Sequence, residues 1–482
     1  MKPPQNTSRR SFIKKGAAAA IGFSIVPRHV LGQGFTAPSD QLNIAVIGGG
    51  GKGYSDAVNA WGDGASNIAA ICDVDWNMAA DAFEKFPNAR KYKDFRKLLD
   101  EMTDIDAITV STPDHTHAVI TMNAMRRGIH TYVQKPLTHN IYEARTLTKS
   151  AEQYKIVTQM GNQGASGPGV KQMMKWFDEG LIGNVNEVQV WTNRPVWPQG
   201  IKTPTQMPAL MDGLDWDNWI GPAKWVDYHP LYHPFKWRGW WNFGTGALGD
   251  MACHLIDPPF RVLGLGYPTE VESSVGAIYS QDWVPDYLPE SCPPSSRTQL
   301  TFPASNKNPV SVKLTWTDGG LRPFHPDLIP ADHDIGDPGS TNGVIMMGDK
   351  GIMTCGTYAE NPKIYFNTGE MIKFDTDALE DVELALPENG HHRQWVDACK
   401  DGYGGAKHKA LTSSFDFAGP LTESILMGNL AIRSYNLREQ NGDQFDFPGR
   451  KKLLWDGKLM SITNFDPANQ FVMREYRDGW SL

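Results

Sequence analysis

Two polar residues with helical spacing, Asp250 and His254, are the first candidates for chemistry in this sequence of 482 residues. Residues four positions apart lie on one side of a helix, so the carboxylate and the imidazole would face the same site. An imidazole, with a reference pKa of about 6.5, exchanges a proton near neutral pH. His254 is therefore a candidate general base, although the same spacing also suits a hydrogen-bonded pair with a purely structural role.

A glycine-rich loop supplies a second functional pattern. The stretch AVIGGGGKG places Gly48, Gly50 and Gly53 in a GxGxxG arrangement directly after an apolar run. Such glycines permit a tight turn, close approach of backbone to a pyrophosphate, and packing of helix on strand. Asp73 ends the next apolar run, where a carboxylate accepts hydrogen bonds from ribose hydroxyls and repels a 2′-phosphate. The pattern predicts a site for NAD rather than NADP, against the alternative of a flexible surface turn.

The elements that position these residues follow an alternating pattern. Short apolar runs typical of buried strands, LNIAVIG, NIAAICDVD, DAITVSTP and HTYVQKP, alternate with helical stretches such as HAVITMNAMRRG. This alternation predicts parallel βαβ units over 42–160, ending near KIVTQMG. Over 161–482, runs such as EVQVWT and VSVKLTW alternate apolar and polar residues, which predicts an α+β domain with an open sheet. The stretch FAGPLTESILMGNLAIRSYN has helical spacing and is predicted to pack toward the first domain.

Two further motifs resemble signatures of the Gfo/Idh/MocA oxidoreductases. The stretch STPDHTHAVITMNAMRRGIHTYVQKP is similar to TPxxxHxxxxxxAxxxGxHxxxEKP, and GTGALGDMACHLID is similar to GGGxxxDxxxHxxD. The resemblance implies an N-terminal Rossmann dinucleotide-binding domain and a C-terminal α+β domain with an open, mostly antiparallel sheet, which binds substrate and forms a homo-oligomer. It also implies hydride transfer between a nicotinamide and a ring carbon of a sugar or polyol.

The resemblance implies roles for individual residues as well. Lys135 matches the family lysine that points at the reacting hydroxyl, so we predict that it polarises this group while His254 accepts the proton. Asp250 is then a substrate anchor or orienter. The predicted cofactor-binding residues are Gly48, Gly50, Gly53, Asp73, Thr112, Pro113, His117, Gln134 and Lys135. One departure is Gln134, which replaces the Glu of EKP and thereby removes a charge beside the lysine.

Candidates for substrate binding come from a segment rich in aromatic residues. Half of the 16 tryptophans lie between Trp191 and Phe243, and indole faces stack on the apolar faces of sugar rings. We expect a minority of them to contact substrate, because most tryptophans are core or loop anchors. The predicted substrate-binding residues are Asn162, Gln163, Trp237, Trp240 and Asp257, with Trp197 and Trp241 as further candidates. The alternative role for Asn162 and Gln163 is to cap a turn.

The histidines raise the question of a metal site. The potential ligands are His115, His117, Asp250, His254 and Asp257. They form no tight triad in the sequence and the reaction requires no metal, so we predict none. His117 matches the family histidine over the cofactor, whereas His115 is predicted to face solvent. The five cysteines are scattered without a CxxC pattern, which favours buried thiols.

The N-terminal stretch TSRRSFIKKGAAAAIGFSIV fits a twin-arginine export signal over 1–32. Its apolar run is too short to span a bilayer. Removing this basic region moves the formal charge from -8 to about -14, and such a surface repels nucleic acid and anionic lipid. We predict a periplasmic protein without a membrane anchor, exported already folded with NAD tightly bound.

The sequence is compatible with three classes of function. The first is an exported NAD-dependent oxidoreductase acting on a sugar or glycoside. The alternative is a glycosidase or epimerase that works through a transient keto-sugar without net oxidation. A sugar-binding protein without activity is less favoured, because Lys135 and His254 are both present. The sugar, the oxidised carbon, the oligomer size and the cleavage site stay open.

Overall fold

The computed structural model of the protein describes residues 41–374, 390–442 and 444–482. The predicted signal over 1–32 lies outside these ranges. The described α-helices are α1 (Lys52–Trp61), α2 (Ala80–Lys85), α3 (Phe95–Glu101), α4 (Asp114–Met125), α5 (Ile141–Tyr154), α6 (Pro168–Asp178), α7 (Trp216–Ile220), α8 (Gly246–Leu255), α9 (Asp257–Val262), α10 (Gly390–Asp401), α11 (Ala406–Lys409) and α12 (Phe415–Tyr435). Short 3-10 helices at Gln163–Ser166, Lys236–Gly239, Pro338–Ser340, Thr357–Ala359 and Asp466–Phe471 complete the set.

The first sheet is parallel and positions the glycine loop. Its strands are β1 (Asn43–Ile47), β2 (Asn67–Cys72), β3 (Arg90–Tyr92), β4 (Ala107–Val110), β5 (His130–Val133) and β6 (Thr158–Met160), in the order β3-β2-β1-β4-β5-β6. Helices α1 to α5 connect successive strands. The order reverses between β1 and β4, where ligands bind at the carboxyl ends of strands in such sheets. The predicted Rossmann architecture is confirmed.

The second sheet is mixed and mostly antiparallel, as predicted. Its strands are β7 (Val185–Trp191), β8 (Glu270–Val275), β9 (Ser296–Phe302), β10 (Val312–Thr317), β11 (Gly343–Gly348), β12 (Gly351–Cys355), β13 (Lys363–Phe366), β14 (Met371–Lys373), β17 (Leu453–Asp456) and β18 (Ser461–Ile462). Their order is β14-β13-β12-β11-β7-β10-β9-β8-β17-β18, and only β7 and β10 among them pair in parallel within the described chain. A separate hairpin contains β15 (Glu439–Asn441) and β16 (Gln444–Asp446).

Two late helices return to the first sheet. The long helix α12, predicted from its periodicity, packs on α5 and on β8. Glu423 of α12 accepts two hydrogen bonds from Arg145 of α5, at 2.9 and 2.5 Å. Helix α10 packs on α1, where Arg393 donates to the carbonyl of Ala60 at 2.6 Å. The C-terminal region therefore stabilises the parallel domain over a wide surface.

The remaining expectations about the chain concern thiols and membranes. Each of the five cysteines is free and buried, as expected. None of the described helices combines the length and the apolar character that a bilayer span requires. The Lys135-Pro136 peptide bond is cis.

Candidate functional site

One large cavity joins the glycine loop to helix α8. It has a volume of about 630 Å³ and lies at the carboxyl edge of the parallel sheet. Gly48, Gly50 and Asp73 line one end, and Lys135 and His254 line the other. Predicted cofactor-binding and catalytic residues therefore share a single continuous space.

The glycine loop has the close packing that the GxGxxG pattern requires. Gly48 has a φ of +84°, a conformation that side chains disfavour. A Cβ at Gly53 would lie 1.7 Å from the carbonyl oxygen of Gly48, and a Cβ at Gly50 would lie 2.8 Å from that of Met78. All three glycines thus allow close packing of the loop, and Gly48 and Gly50 also line the cavity.

Asp73 lies against this loop rather than apart from it. Its Oδ2 accepts hydrogen bonds from the backbone N–H of Gly49 at 2.8 Å and of Gly50 at 3.0 Å. Its Oδ1 accepts one from Asp75 at 2.9 Å. Burial raises the pKa of Asp73 to about 6, although these three bonds favour the charged form. The carboxylate is fixed at the loop and lines the cavity, where ribose hydroxyls can reach it.

A buried carboxylate, Asp56 on α1, organises the next part of the wall. Its Oδ2 accepts hydrogen bonds from Ser111 at 2.7 Å and from Gln134 at 2.8 Å. Its Oδ1 accepts one from His392 at 2.8 Å and pairs with Lys52. Burial raises the pKa of Asp56, but the hydrogen bond from His392 and the charge of Lys52 outweigh it and hold the pKa at about 2.

This network gives a physical reason for Gln134. A glutamate in its place would set a second carboxylate against fully buried Asp56. The amide instead donates to that carboxylate, so the charge that the EKP motif would carry is held by Asp56. Gln134 also lines the cavity directly before Lys135.

At the other end of the cavity, Lys135 and Asp250 form an ion pair. The Lys135 ammonium donates to Asp250 Oδ1 at 2.8 Å and to the Asp250 carbonyl at 2.7 Å. Arg238 Nε lies 3.4 Å from the same carboxylate oxygen. Burial raises the pKa of Asp250, but the charges of Lys135 and Arg238 outweigh it and lower the pKa to about 2. Asp250 therefore orients Lys135 as a charged donor.

His254 lies one helical turn beyond Asp250 on α8 and lines the cavity. Burial, followed by the positive charge of Lys135, lowers the pKa of His254 to about 3. The ring meets Tyr358 edge to face, with centroids 4.7 Å apart. Its Nδ1 has no hydrogen-bond partner among the described residues. The imidazole is therefore neutral and can accept a hydrogen bond from a bound hydroxyl.

The first family motif divides into lining and supporting residues. Thr112 and Pro113 line the cavity. His117 does not line it, and its expected position over the cofactor is wrong. Its ring nitrogens lie 2.8 Å from the carbonyl oxygens of Pro136 and Thr112, so the buried ring ties two segments of the wall together.

The expectation that His115 faces solvent is also wrong. His115 is completely buried, and its Nε2 lies 2.8 Å from the carbonyl oxygen of Trp219. Its ring packs against Trp219 and Phe243. Helix α4 is covered by the aromatic segment at this point, and motif spacing alone does not show that cover.

On the substrate side, Gln163 and Trp237 line the cavity, whereas the other tryptophan candidates and Asn162 do not. Asn162 is buried at the start of the turn, with 1% of its surface exposed. Trp240 is 2% exposed and donates through Nε1 to the carbonyl of Leu231 at 2.8 Å, so it is a core anchor. Trp197 and Trp241 are also buried outside the lining.

Asp257, a predicted substrate-binding residue, does not line the cavity. Helix α8 ends at Leu255 and Asp257 begins α9, so the helical face that carries Asp250 and His254 does not continue to it. Asp257 instead accepts a hydrogen bond from Arg261 at 2.8 Å, one turn later on α9. It stabilises the short helix and does not contact the cavity.

Several lining residues were not predicted from the sequence. Lys52 follows the glycine loop, and its position beside four glycines could have indicated from the sequence that it lines the site. Tyr358 belongs to a 3-10 helix more than 100 residues beyond α8, and it has a φ of +62°. Such a conformation is uncommon for a tyrosine. Nothing in the sequence around Tyr358 indicates that it meets His254. Among the described residues, no cluster of His, Cys, Asp or Glu is arranged to hold a metal ion.

Comparisons with known proteins agree with this architecture. Residues 42–162 match the oxidoreductase-family model for the NAD-binding Rossmann fold, and residues 166–282 match the model for its C-terminal alpha/beta domain. An inositol dehydrogenase homologue from Azotobacter vinelandii, solved with NAD+, superposes with a TM-score of 0.56 at 15% identity. That likeness covers 82% of this chain and 97% of the other.

Curated relatives match over shorter stretches. Levoglucosan dehydrogenase of Pseudarthrobacter phenanthrenivorans is 26% identical over 254 residues, which are 51% of this chain and 55% of that protein. Glycosyl hydrolase family 109 protein 1 of Shewanella sp. (strain MR-4) is 28% identical over 172 residues, 30% of this chain and 37% of that protein. The chain thus spans about half or less of these two relatives. With both domain models matched in order, the protein belongs to the Gfo/Idh/MocA family of oxidoreductases and contains its NAD-binding Rossmann domain.

Proposed function

We propose that the protein is an exported NAD-dependent oxidoreductase that moves a hydride between the nicotinamide and a ring carbon of a sugar or glycoside. The observation that supports this most directly is the shared cavity. The glycine loop and Asp73 line one end, and the Lys135–Asp250 pair and neutral His254 line the other. Cofactor and substrate would then meet in one enclosed space.

The residues that line the cavity have separate roles in this reaction. Asp73 and the loop backbone hold the cofactor, which when bound accepts or returns the hydride. Asp250 holds Lys135 in place beside the hydroxyl, so that its ammonium stabilises developing alkoxide charge. His254 accepts the hydroxyl proton at its cavity-facing edge. In the reverse direction the same two side chains return the proton.

This proposal is tested by the rate at which added glycoside reduces bound cofactor in a single turnover. Lys135→Ala and His254→Ala should each lower that rate by on the order of a hundredfold or more, because each removes an acid–base group. The double variant should be little slower than either single variant, since residues that act as a unit are not additive. His325→Ala, at an exposed histidine outside the cavity, is the matched control. Full activity of His254→Ala would remove His254 from the mechanism.

A second candidate function is supported by the family 109 relatives. Transient oxidation of a ring carbon acidifies the neighbouring position, which allows cleavage of a glycoside or epimerisation before the hydride returns. Mass spectrometry of products from a glycoside panel separates the two candidates. A ketone supports the oxidoreductase, whereas a cleaved sugar or an epimer supports a reaction without net oxidation.

Export of the folded holoprotein is the third part of the proposal. Arg9 and Arg10 open the twin-arginine signal, and the route that reads it carries folded proteins, so the cofactor can be bound before export. Periplasmic protein should release about one NAD(H) per chain on denaturation, and Arg9→Lys with Arg10→Lys should retain the protein in the cytoplasm. Empty periplasmic protein would remove the reason for folded export. We also infer a homo-oligomer, which the mass in solution tests.

A further inference from the structure

The substrate end of the cavity carries an excess of positive charge. Three cations line it: Lys135, Arg194 and Arg238. Lys135 and Arg238 share the single carboxylate of Asp250, at 2.8 and 3.4 Å. Arg194 donates to the neutral side chain of Asn193 at 2.5 Å and makes no ion pair with the described residues. One carboxylate therefore faces three cations.

Other ionisable groups that line this end of the cavity do not remove the excess. His254 is neutral at physiological pH, because its pKa is lowered to about 3. Asp114 also lines the cavity and accepts a hydrogen bond from Thr245, and burial raises its pKa. Even with Asp114 fully charged, one positive charge is uncompensated. Glu360 does not line the cavity. Burial raises the pKa of Tyr358, as does the negative charge of Glu360, whereas the positive charge of Arg194 lowers it. This excess contrasts with a formal charge of -8 for the whole chain.

The two guanidinium groups are held differently. Arg238 stacks over Trp237 and Phe235, with its guanidinium carbon 4.2 and 4.6 Å from the ring centroids. It also donates to the Phe235 carbonyl at 3.2 Å. Arg194 follows β7 and has no such stacking among the described residues, so its fork remains available for a ligand. A guanidinium fork matches a planar carboxylate with two parallel hydrogen bonds.

We propose that the substrate is an acidic sugar, a uronic acid or a glycoside of one, whose carboxylate pairs with Arg194. This rests on the proposed function, because Lys135 and His254 act on a ring hydroxyl of the same molecule. At least one positive charge is left for a ligand, and the planar carboxylate of a uronic acid fits the flat fork of Arg194 better than a tetrahedral phosphate does. Arg238 and its aromatic partners then form a wall beside the sugar ring.

The test compares sugars that carry a hydroxymethyl group, a carboxylate or a phosphate, on the NAD-loaded protein. Methyl glucoside, methyl glucuronide and glucose 6-phosphate, with the corresponding galactose series, are measured for binding by calorimetry and for reduction of bound cofactor. We expect a uronide to bind at least tenfold more tightly than its neutral counterpart, with the difference shrinking as salt is raised. Arg194→Gln should abolish this preference by lowering the affinity for the uronide to that for the neutral glycoside. Arg322→Gln, at an exposed arginine outside the cavity, should retain the preference.

The outcomes separate this inference from the proposed function. Equal affinity for charged and neutral sugars, or a preference that survives Arg194→Gln, overturns the acidic substrate while leaving the oxidoreductase intact. Tighter binding of sugar phosphates than of uronides overturns the carboxylate, and absence of binding by every sugar overturns the inference as a whole. A uronide that binds through Arg194 but never reduces the cofactor supports the inference and contradicts the proposed oxidoreductase.

Discussion

Gln134→Glu is the substitution for which the structure makes the sharpest prediction. It would restore the Glu of the family motif, yet it brings a carboxylate to the position from which the Gln134 amide donates to Asp56 at 2.8 Å. Both side chains are buried, with 6% and 0% exposure. The variant therefore loses a hydrogen bond and gains repulsion at the same place.

The magnitude follows from the distance and from the cost of protonation. Two unit charges at this separation repel by about 6 kcal/mol at an effective dielectric constant of 20. The folded variant avoids that cost by keeping the introduced glutamate protonated, and a protonated carboxyl can donate to Asp56 as the amide does. Holding a glutamate of reference pKa about 4.3 in its protonated form at pH 7 costs about 3.7 kcal/mol. We expect a destabilisation close to this value.

The sign of the pH dependence follows from the same argument. The folded-state pKa of the introduced glutamate is raised above its unfolded value, so the variant approaches wild-type stability below about pH 4.3. Its deficit grows by about 1.4 kcal/mol per pH unit as pH rises, until the folded-state pKa is reached. Urea unfolding of the protein without cofactor at pH 5, 6, 7 and 8 measures this slope. Gln163→Glu, in the same cavity but without a carboxylate partner, is the matched control.

A substitution at Asp56 completes a double-mutant cycle with Gln134→Glu. When Gln134→Glu is combined with Asp56→Asn, the introduced asparagine amide can donate to the introduced carboxylate, so the double variant should be no less stable than Asp56→Asn alone. Asp56→Asn itself loses the charge that pairs with Lys52 and His392. A deficit of Gln134→Glu that is constant with pH, or additive losses in the double variant, would refute the charge assignment.

Three further predictions concern the cofactor loop and the aromatic segment. Because the pKa of Asp73 is raised to about 6, NAD affinity should fall up to tenfold per pH unit below pH 6, whereas Asp73→Asn should bind NAD weakly at every pH. Asp73→Ser should gain NADP binding relative to NAD. An unchanged cofactor preference would show that Asp73 is not at the ribose. Gly53→Ala should abolish NAD binding in titrations, since its Cβ would lie 1.7 Å from the Gly48 carbonyl oxygen, and normal affinity would contradict the packing. Trp240→Phe leaves the Leu231 carbonyl unpaired and should destabilise the protein by about 1 to 3 kcal/mol in urea without changing turnover, whereas Trp237→Phe should change substrate affinity.

Local patterns predicted the parts of the site that depend on one segment. The glycine loop needs close backbone packing within a single βα unit, so its spacing is visible in the sequence. Asp250 and His254 share a helix, and their relative position follows from four-residue spacing. Asp257 was predicted to bind substrate but lies outside the cavity, because α8 ends before it and a new helix begins. Periodicity describes one helix and does not show where that helix ends.

Contacts between distant segments explain the remaining errors. His117 carries the family spacing, yet its ring is held by the Pro136 carbonyl, which belongs to the turn after the next strand. His115 and Trp240 are buried because the aromatic segment folds into a small core of its own against α4. Tyr358 reaches His254 from a turn far along the chain. Tertiary packing decides these positions, and a single sequence carries no direct record of it.

The hydrogen bond between Asp56 and His392 has a consequence for the synthesis of the protein. It joins residues 336 positions apart, and the aspartate lies on the helix that begins at the cofactor loop. The buried carboxylate of the first domain therefore lacks this partner until most of the chain has left the ribosome. Long-range contacts of this kind slow folding and delay its completion. A truncated chain would keep every glycine of the loop and still leave its anchor unfinished, so completeness of translation is itself a condition for a finished nucleotide site.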